Sequence, residues 1–308
     1  MIRRIIEIAE EGMLLSLSRG FLRVSKTEDM VAEVPIDDVA VLLLTAQGCV
    51  ITKPLLMGCV SRGAVVVFCG TSYKPESIMV PLFGSYEFSG RVDDQIAASV
   101  PLTKQIWKSI IQEKIHNQTL VLEMLDLPKV KDLRVLEKSV LSGDSNNREA
   151  VAAAVYWKAL FGKDFRRDQD EDGINSVLNY GYAVLRGIMA RAVCSVGLHP
   201  SLGIHHNNRL NNYCLVDDLI EPFRPLVDMI VYGLIEDEEI KLDTDLKKEI
   251  VQMAWRDLLV DGQRSPLVKA VEDYSFSLVR SYKSKKNQIC IPKLIQEDFV
   301  KANSPSPI

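Results

Sequence analysis

GTSYKPESIMVPLFGSYEFSGRVDD, residues 70–94, divides the chain into two unlike halves. It is rich in the Gly, Pro, Ser and Asp residues of turns, and the patterns on either side differ. Upstream, the segments 2–8, 13–17, 20–24, 29–34 and 39–45 are short, rich in Ile, Val and Leu, and separated by Gly, Ser, Asp or Pro, so they read as strands. A helix fits 53–62, followed by a buried strand over 64–69, AVVVFC. Downstream, Ile106, Ile110, Ile111, Ile115, Leu120 and Met124 follow helical steps through 98–123. Further helices fit 129–140, 147–162, 174–197, 213–233, 245–259 and 266–283, with turns at Asp172-Gly173 and between Gly197 and Pro200. The expected fold is α+β: a small N-terminal β-rich domain (1–82), a linker (83–95) and a larger all-α C-terminal domain (96–308). Its last residues, NSPSPI, read as a frayed tail.

Composition sets outer limits. The chain has 308 residues, 47% hydrophobic and 25% charged, enough for a sizeable core in a soluble globular protein. No apolar run reaches the length of a membrane span, and the N-terminus carries no evident secretion signal, so a cytoplasmic protein with no membrane partner is expected. Six cysteines without a Cys-x-x-Cys pair argue against a zinc ribbon and read as reduced packing residues. The net charge of −4 is no signature of nucleic-acid binding. Basic residues nevertheless gather within 101–140 (Lys104, Lys108, Lys114, Lys129, Lys131, Arg134 and Lys138), while acid gathers at 168–172 and 236–245.

The chemistry concentrates in SLGIHHNNRLNNYCLVDDLIEPFRPLVD, residues 201–228. Two histidines in a loop precede Asp217, Asp218 and Glu221 on an amphipathic segment. A neutral imidazole beside carboxylates suits a divalent cation that also holds phosphate oxygens. Adjacent side chains on extended backbone point opposite ways, so one of His205 and His206 can join a given site. Pro222 disfavours helical geometry at Glu221, and a kink there would aim the carboxylate. Arg224 lies one helical step beyond Glu221, able to pair a carboxylate or a phosphate. Upstream, SNNRE at 145–149 has two readings: Asn146 and Glu149 as a capping box, or a first-turn glutamate free to hold a metal. Arg186 and Arg191, on the apolar helix 174–197, need carboxylates or phosphates as partners.

SNNRE, INSVLNYGYAVLR at 174–186 and the 201–228 stretch, in this order and spacing, resemble the CRISPR-associated endonuclease that integrates new spacers, most closely its type II branch. The resemblance runs from the first strands to about Ile230. It implies metal ligands at Glu149, His206 (three residues after Gly203) and Glu221, which are also the catalytic residues. It further implies a homodimer through the N-terminal domains, assembled with a small ferredoxin-like companion protein. The implied activity is a nuclease and integrase on double-stranded DNA that uses Mg²⁺ or Mn²⁺. Asp218 and Arg224 would support the ligands, and Arg186, Arg191 and Arg209 would contact DNA. Two other functions stay open on the residues alone: a non-catalytic helical nucleic-acid-binding subunit, and a metal-dependent phosphodiesterase acting on small substrates.

Overall fold

A computed structural model describes residues 4–27, 29–70, 75–79, 87–168, 172–235 and 242–295. The N-terminal part contains β1 (Arg4–Ile8), β2 (Met13–Ser18), β3 (Phe21–Lys26), β4 (Asp29–Pro35), β5 (Val39–Leu44), β6 (Val50–Ile51), α1 (Lys53–Ser61), β7 (Val65–Cys69) and β8 (Pro75–Met79). They form two four-stranded sheets, ordered β4-β3-β2-β6 and β1-β5-β7-β8. Arg19 and Gly20 both have positive φ (50° and 85°) between paired Ser18 and Phe21, the two-residue turn that matches strand twist. In the second sheet β1, β5 and β7 run parallel, and β8 pairs antiparallel with β7.

The run VAVLLL of β5 is buried along its whole length because its sheet is covered on both faces. Leu42 and Leu44 point into a core shared with Leu15, Leu22 and Leu55. Val41 and Leu43 point the other way, into the core of the helical part. Strand β8, inside the turn-rich stretch, is an element that turn composition conceals. The end of the expected first domain at residue 82, and the frayed tail, lie outside the described residues.

The C-terminal part holds α2 (Phe88–Ile96), α3 (Val100–Met124), α4 (Val130–Lys138), α5 (Arg148–Phe161), α6 (Ile174–Ser195), α7 (Cys214–Ile220), α8 (Arg224–Leu234), α9 (Thr244–Val251) and α10 (Leu267–Ser284). Two expectations need correction. Much of the expected linker is the helix α2, docked by polar contacts that hydrophobic periodicity does not reveal. Arg91 donates to the Val196 carbonyl (2.8 Å), and Gln95 donates to the carbonyls of His199 (3.1 Å) and Leu202 (2.8 Å). The domain is also not all-α. The expected helix over 245–259 gives way after Val251, and β9 (Asp257–Val260), β10 (Gln263–Pro266) and β11 (Lys293–Leu294) make an antiparallel sheet. Asp261-Gly262, both with positive φ, turns β9 into β10, a hairpin signal that the sequence does contain.

Helix α6 is the central pillar, buried along most of its length and lying against β5 and β7. Its small residues set the approach. A Cβ on Gly187 would meet Val67 Cγ2 at 2.9 Å and Val41 Cγ1 at 3.4 Å. Tyr180 donates to Glu7 of β1 (2.7 Å), tying the pillar to the sheet. Gly187→Val should therefore lower unfolding stability by about 1–3 kcal/mol through overpacking. Gly90→Ala, where an added Cβ meets nothing within 4 Å in α2, should change stability by no more than about 1 kcal/mol, in the stabilising direction. Chemical denaturation of both variants checks the contrast.

Candidate functional site

Three distant segments meet on α3. The helix buries Ile106, Trp107, Ile110, Ile111 and Ile115, and Lys114 lies on this same stripe, three residues after Ile111 and four after Ile110. Its side chain is only 11% exposed, with Nζ 2.6 Å from Glu149 Oε1 and 2.5 Å from Glu221 Oε2. A lysine so placed keeps its charge only beside carboxylates.

Glu149 starts α5, and its capping reading is corrected here. Asp144 caps this helix, accepting from the backbone N–H groups of Arg148 (2.8 Å) and Glu149 (3.0 Å). Asn146 instead donates to the Ser139 carbonyl (2.7 Å). The Glu149 carboxylate thus turns to Lys114. Glu221 sits in a 3-10 turn, Glu221–Phe223, between α7 and α8. Pro222 does not push Glu221 out of helical geometry, since its φ and ψ are −52° and −44°. The break appears instead in the hydrogen-bond ladder, where the Pro222 carbonyl accepts from Asn117 of α3 (2.8 Å).

Asp218 builds the histidine loop. Fully buried, it accepts from the backbone N–H groups of Ile204 (2.6 Å), His205 (2.9 Å) and His206 (3.3 Å), and meets His206 Nδ1 at 2.5 Å. Gly203 lets the loop close this tightly: a Cβ there would run into the His206 carbonyl and come within 3.0 Å of Asp218. Glycine at position 203 is therefore a steric requirement of this loop. His205 stacks on Trp107 with ring centroids 4.4 Å apart and planes within 1°, while His206 meets the same ring edge-on. The carboxylate can only accept, so Nδ1 of neutral His206 carries the proton and Nε2 keeps a free lone pair.

The electrostatics follow from burial and pairing. Burial opposes ionisation of Glu221, yet Arg224, Lys114 and His206 outweigh it and hold the carboxyl below its ordinary value. Burial likewise opposes charge on Lys114, and Glu221 with Glu149 reverses the balance, so its pKa is raised. The hydrogen bond to Asp218 raises His206 against partial desolvation, and Glu221 and Glu149 add to the rise. Among the described residues no three His, Cys, Asp or Glu side chains form a metal-holding group. The cation between the two glutamates is Lys114.

The arginines divide by environment. Arg224 pairs with Glu221 (2.8 Å) and lies 4.7 Å over the Tyr182 ring. Arg186 makes two 2.8 Å bonds to Asp217, so Asp217 serves that pair and not the glutamates. Arg191 is buried in an ion pair with Glu272, which removes it from the expected DNA contacts. Arg209 is exposed on the loop. A cavity of about 590 Å³ opens beside Glu221 and His206, with Arg167, Arg186, Arg224 and Asn208 in its wall. The sequence also offered a missed signal: Lys114 interrupts an apolar stripe. Trp107 gave none, because a buried tryptophan on that stripe reads as core.

A family model described as CRISPR associated protein Cas1 matches residues 6–272, past Ile230, where the motifs noted above end. The CRISPR-associated endonuclease Cas1 of Neisseria meningitidis serogroup C (strain 8013) is 34% identical over 293 residues, covering 94% of this chain and 95% of that protein. A casposase bound to integration product superposes with a TM-score of 0.77 at 20% identity, over 99% of this chain and 96% of the other. A chain of a Cas6-RT-Cas1–Cas2 complex gives a TM-score of 0.75 at 16% identity, covering 96% of this chain and 36% of that one. Sequence and fold agree, and this chain belongs to the Cas1 family of CRISPR-associated endonucleases.

Proposed function

We propose that the protein is a metal-dependent DNA endonuclease and integrase that inserts short foreign DNA into a CRISPR array. The observation that carries this is the convergence of Glu149 and Glu221 on one buried cation, with His206 in the same cavity as Glu221. Two carboxylates and one imidazole are a donor set for Mg²⁺ or Mn²⁺, and a site that already holds a cation between two acids fits such an ion. Bound by Glu149, His206 and Glu221, the ion would neutralise a non-bridging phosphate oxygen and assist the leaving 3′-oxygen. Attack by a 3′-hydroxyl gives strand transfer, and attack by water gives cleavage.

The chain's own groups prepare that chemistry. Asp218 fixes the His206 tautomer and aims Nε2, while Arg224 pins one Glu221 oxygen and leaves the other for the shared centre. The three arginines of the open cavity wall outnumber its two acids, Asp217 and Glu221, a balance that suits phosphates better than a neutral substrate. Arg186 and Arg209 then contribute to double-stranded DNA binding, with exposed basic residues of α3 and α4 such as Lys104, Lys131 and Lys138. Lys114 is withdrawn from that set because it is committed internally. A homodimer and a small ferredoxin-like companion complete the proposed partners, and the name of one solved neighbour, a Cas6-RT-Cas1–Cas2 complex, supports a Cas2-type companion.

Substitution tests the roles. Glu221→Gln and His206→Ala should both abolish cleavage and strand transfer in saturating Mn²⁺. His205→Ala, which removes the stack on Trp107 and an edge-on contact with the His206 ring, should leave activity reduced by about ten-fold or less, consistent with an aromatic pair worth about 1 kcal/mol. A dead His205→Ala beside an active His206→Ala would reverse the assignment. Acid should also compete with the metal. His206 must be neutral to bind an ion, and its pKa is raised above the ordinary 6.5. At a fixed, sub-saturating Mn²⁺ concentration, activity should consequently fall as pH drops and the histidine protonates, and raising Mn²⁺ should move that fall to lower pH. A fall controlled near the carboxylate range at that concentration would remove His206 from that role.

A further inference from the structure

Lys114 has no role in the chemistry just described, yet it occupies the centre of the site. Its ammonium touches one oxygen of each glutamate, its stem lies on the buried stripe of α3, and Arg224 independently holds the other Glu221 oxygen. Removing the ammonium would therefore leave Glu221 anchored and open the space between the two acids. A lysine ammonium is a compact charge on a flexible four-carbon stem, able to withdraw without moving the helix that carries it.

We propose that Lys114 is an internal counter-ion that competes with the divalent ion for Glu149 and Glu221. In the metal-free protein it keeps the two acids together against their mutual repulsion. On metal uptake it gives up those contacts, so the competition sets how tightly the ion is held. Lys114 is a positioning residue acting through the two acids. The inference rests on the proposed metal site and deepens it. A lysine that served only packing would give the opposite result: its loss would loosen the acids and weaken metal binding, or leave it unchanged.

The test is calorimetric titration of MnCl₂ into the full-length protein, as wild type, Lys114→Met and Lys114→Arg, with thermal unfolding measured with and without the metal. Lys114→Met should bind Mn²⁺ about ten-fold or more tightly than wild type, because a competing positive charge is gone. It should melt lower without metal and show a larger upward shift with it. Lys114→Arg keeps the charge and should stay near wild-type affinity. Should Lys114→Met fail to fold, Lys114→Gln, which retains a neutral donor for the acids, is read in the same way. Wild-type binding with equal or weaker binding in the neutral variants overturns this inference alone. Absence of Mn²⁺ binding in every variant overturns the metal site with it.

Discussion

Two glutamates cannot be brought together at a part-buried site without a cation, and the arrangement of the helical domain follows from that constraint. Lys114 meets it in the structure, drawing α5 and the Glu221 turn onto α3. Arg224 adds a second positive charge against Glu221, and Asn117 secures the turn by taking up the Pro222 carbonyl. Each contact ties a different stretch of chain to one helix. The pairing is redundant at Glu221, which keeps Arg224 if Lys114 is lost, whereas Glu149 has Lys114 as its ion-pair partner. The candidate site is thus part of what holds the domain together as well as where chemistry is expected.

Around that centre the loop and the sheet act as supports. Asp218 organises the histidine loop from beneath, and α2 braces it through Gln95 and the carbonyls of His199 and Leu202. Helix α6 joins the β1-β5-β7-β8 sheet to the site, carrying Tyr182 and Arg186 to the cavity wall while Gly187 lies against β5 and β7. A second buried acid stands behind: Asp228 accepts from Tyr182, and burial pushes its carboxyl up to about 7. The cavity wall is therefore rigidly backed, as oriented ligands require.

Much of this was legible in the sequence, and the failures have physical causes. Strands such as β2, β3, β5 and β7, and most helices, followed from composition and periodicity, because they bury one face or, in β5, both. Helix α2 escaped because Arg91 and Gln95 dock it through hydrogen bonds to distant carbonyls. The β9–β10 hairpin escaped although Asp261-Gly262 announced it, since the preceding helical pattern was carried too far. In the site, the histidine pair, Asp218 and Glu221 stood out from local composition and spacing. The choice of His206 over His205 and the choice of Glu149 came through resemblance, because the local pattern at Glu149 fits a capping box equally well. That pattern misled: Asp144, five residues earlier, takes the capping role. Arg191 misled in the other direction, since an arginine on an apolar helix suits a buried glutamate as well as a phosphate.

The central claim is that Glu149, His206 and Glu221 close on one divalent ion. Anomalous diffraction from crystals of the full-length protein soaked in MnCl₂ measures this directly. A single peak within about 2.0–2.3 Å of one oxygen from each glutamate and of His206 Nε2, with Lys114 displaced, is the expected result. A peak elsewhere, or saturating Mn²⁺ with Lys114 still bridging the two glutamates, would contradict it.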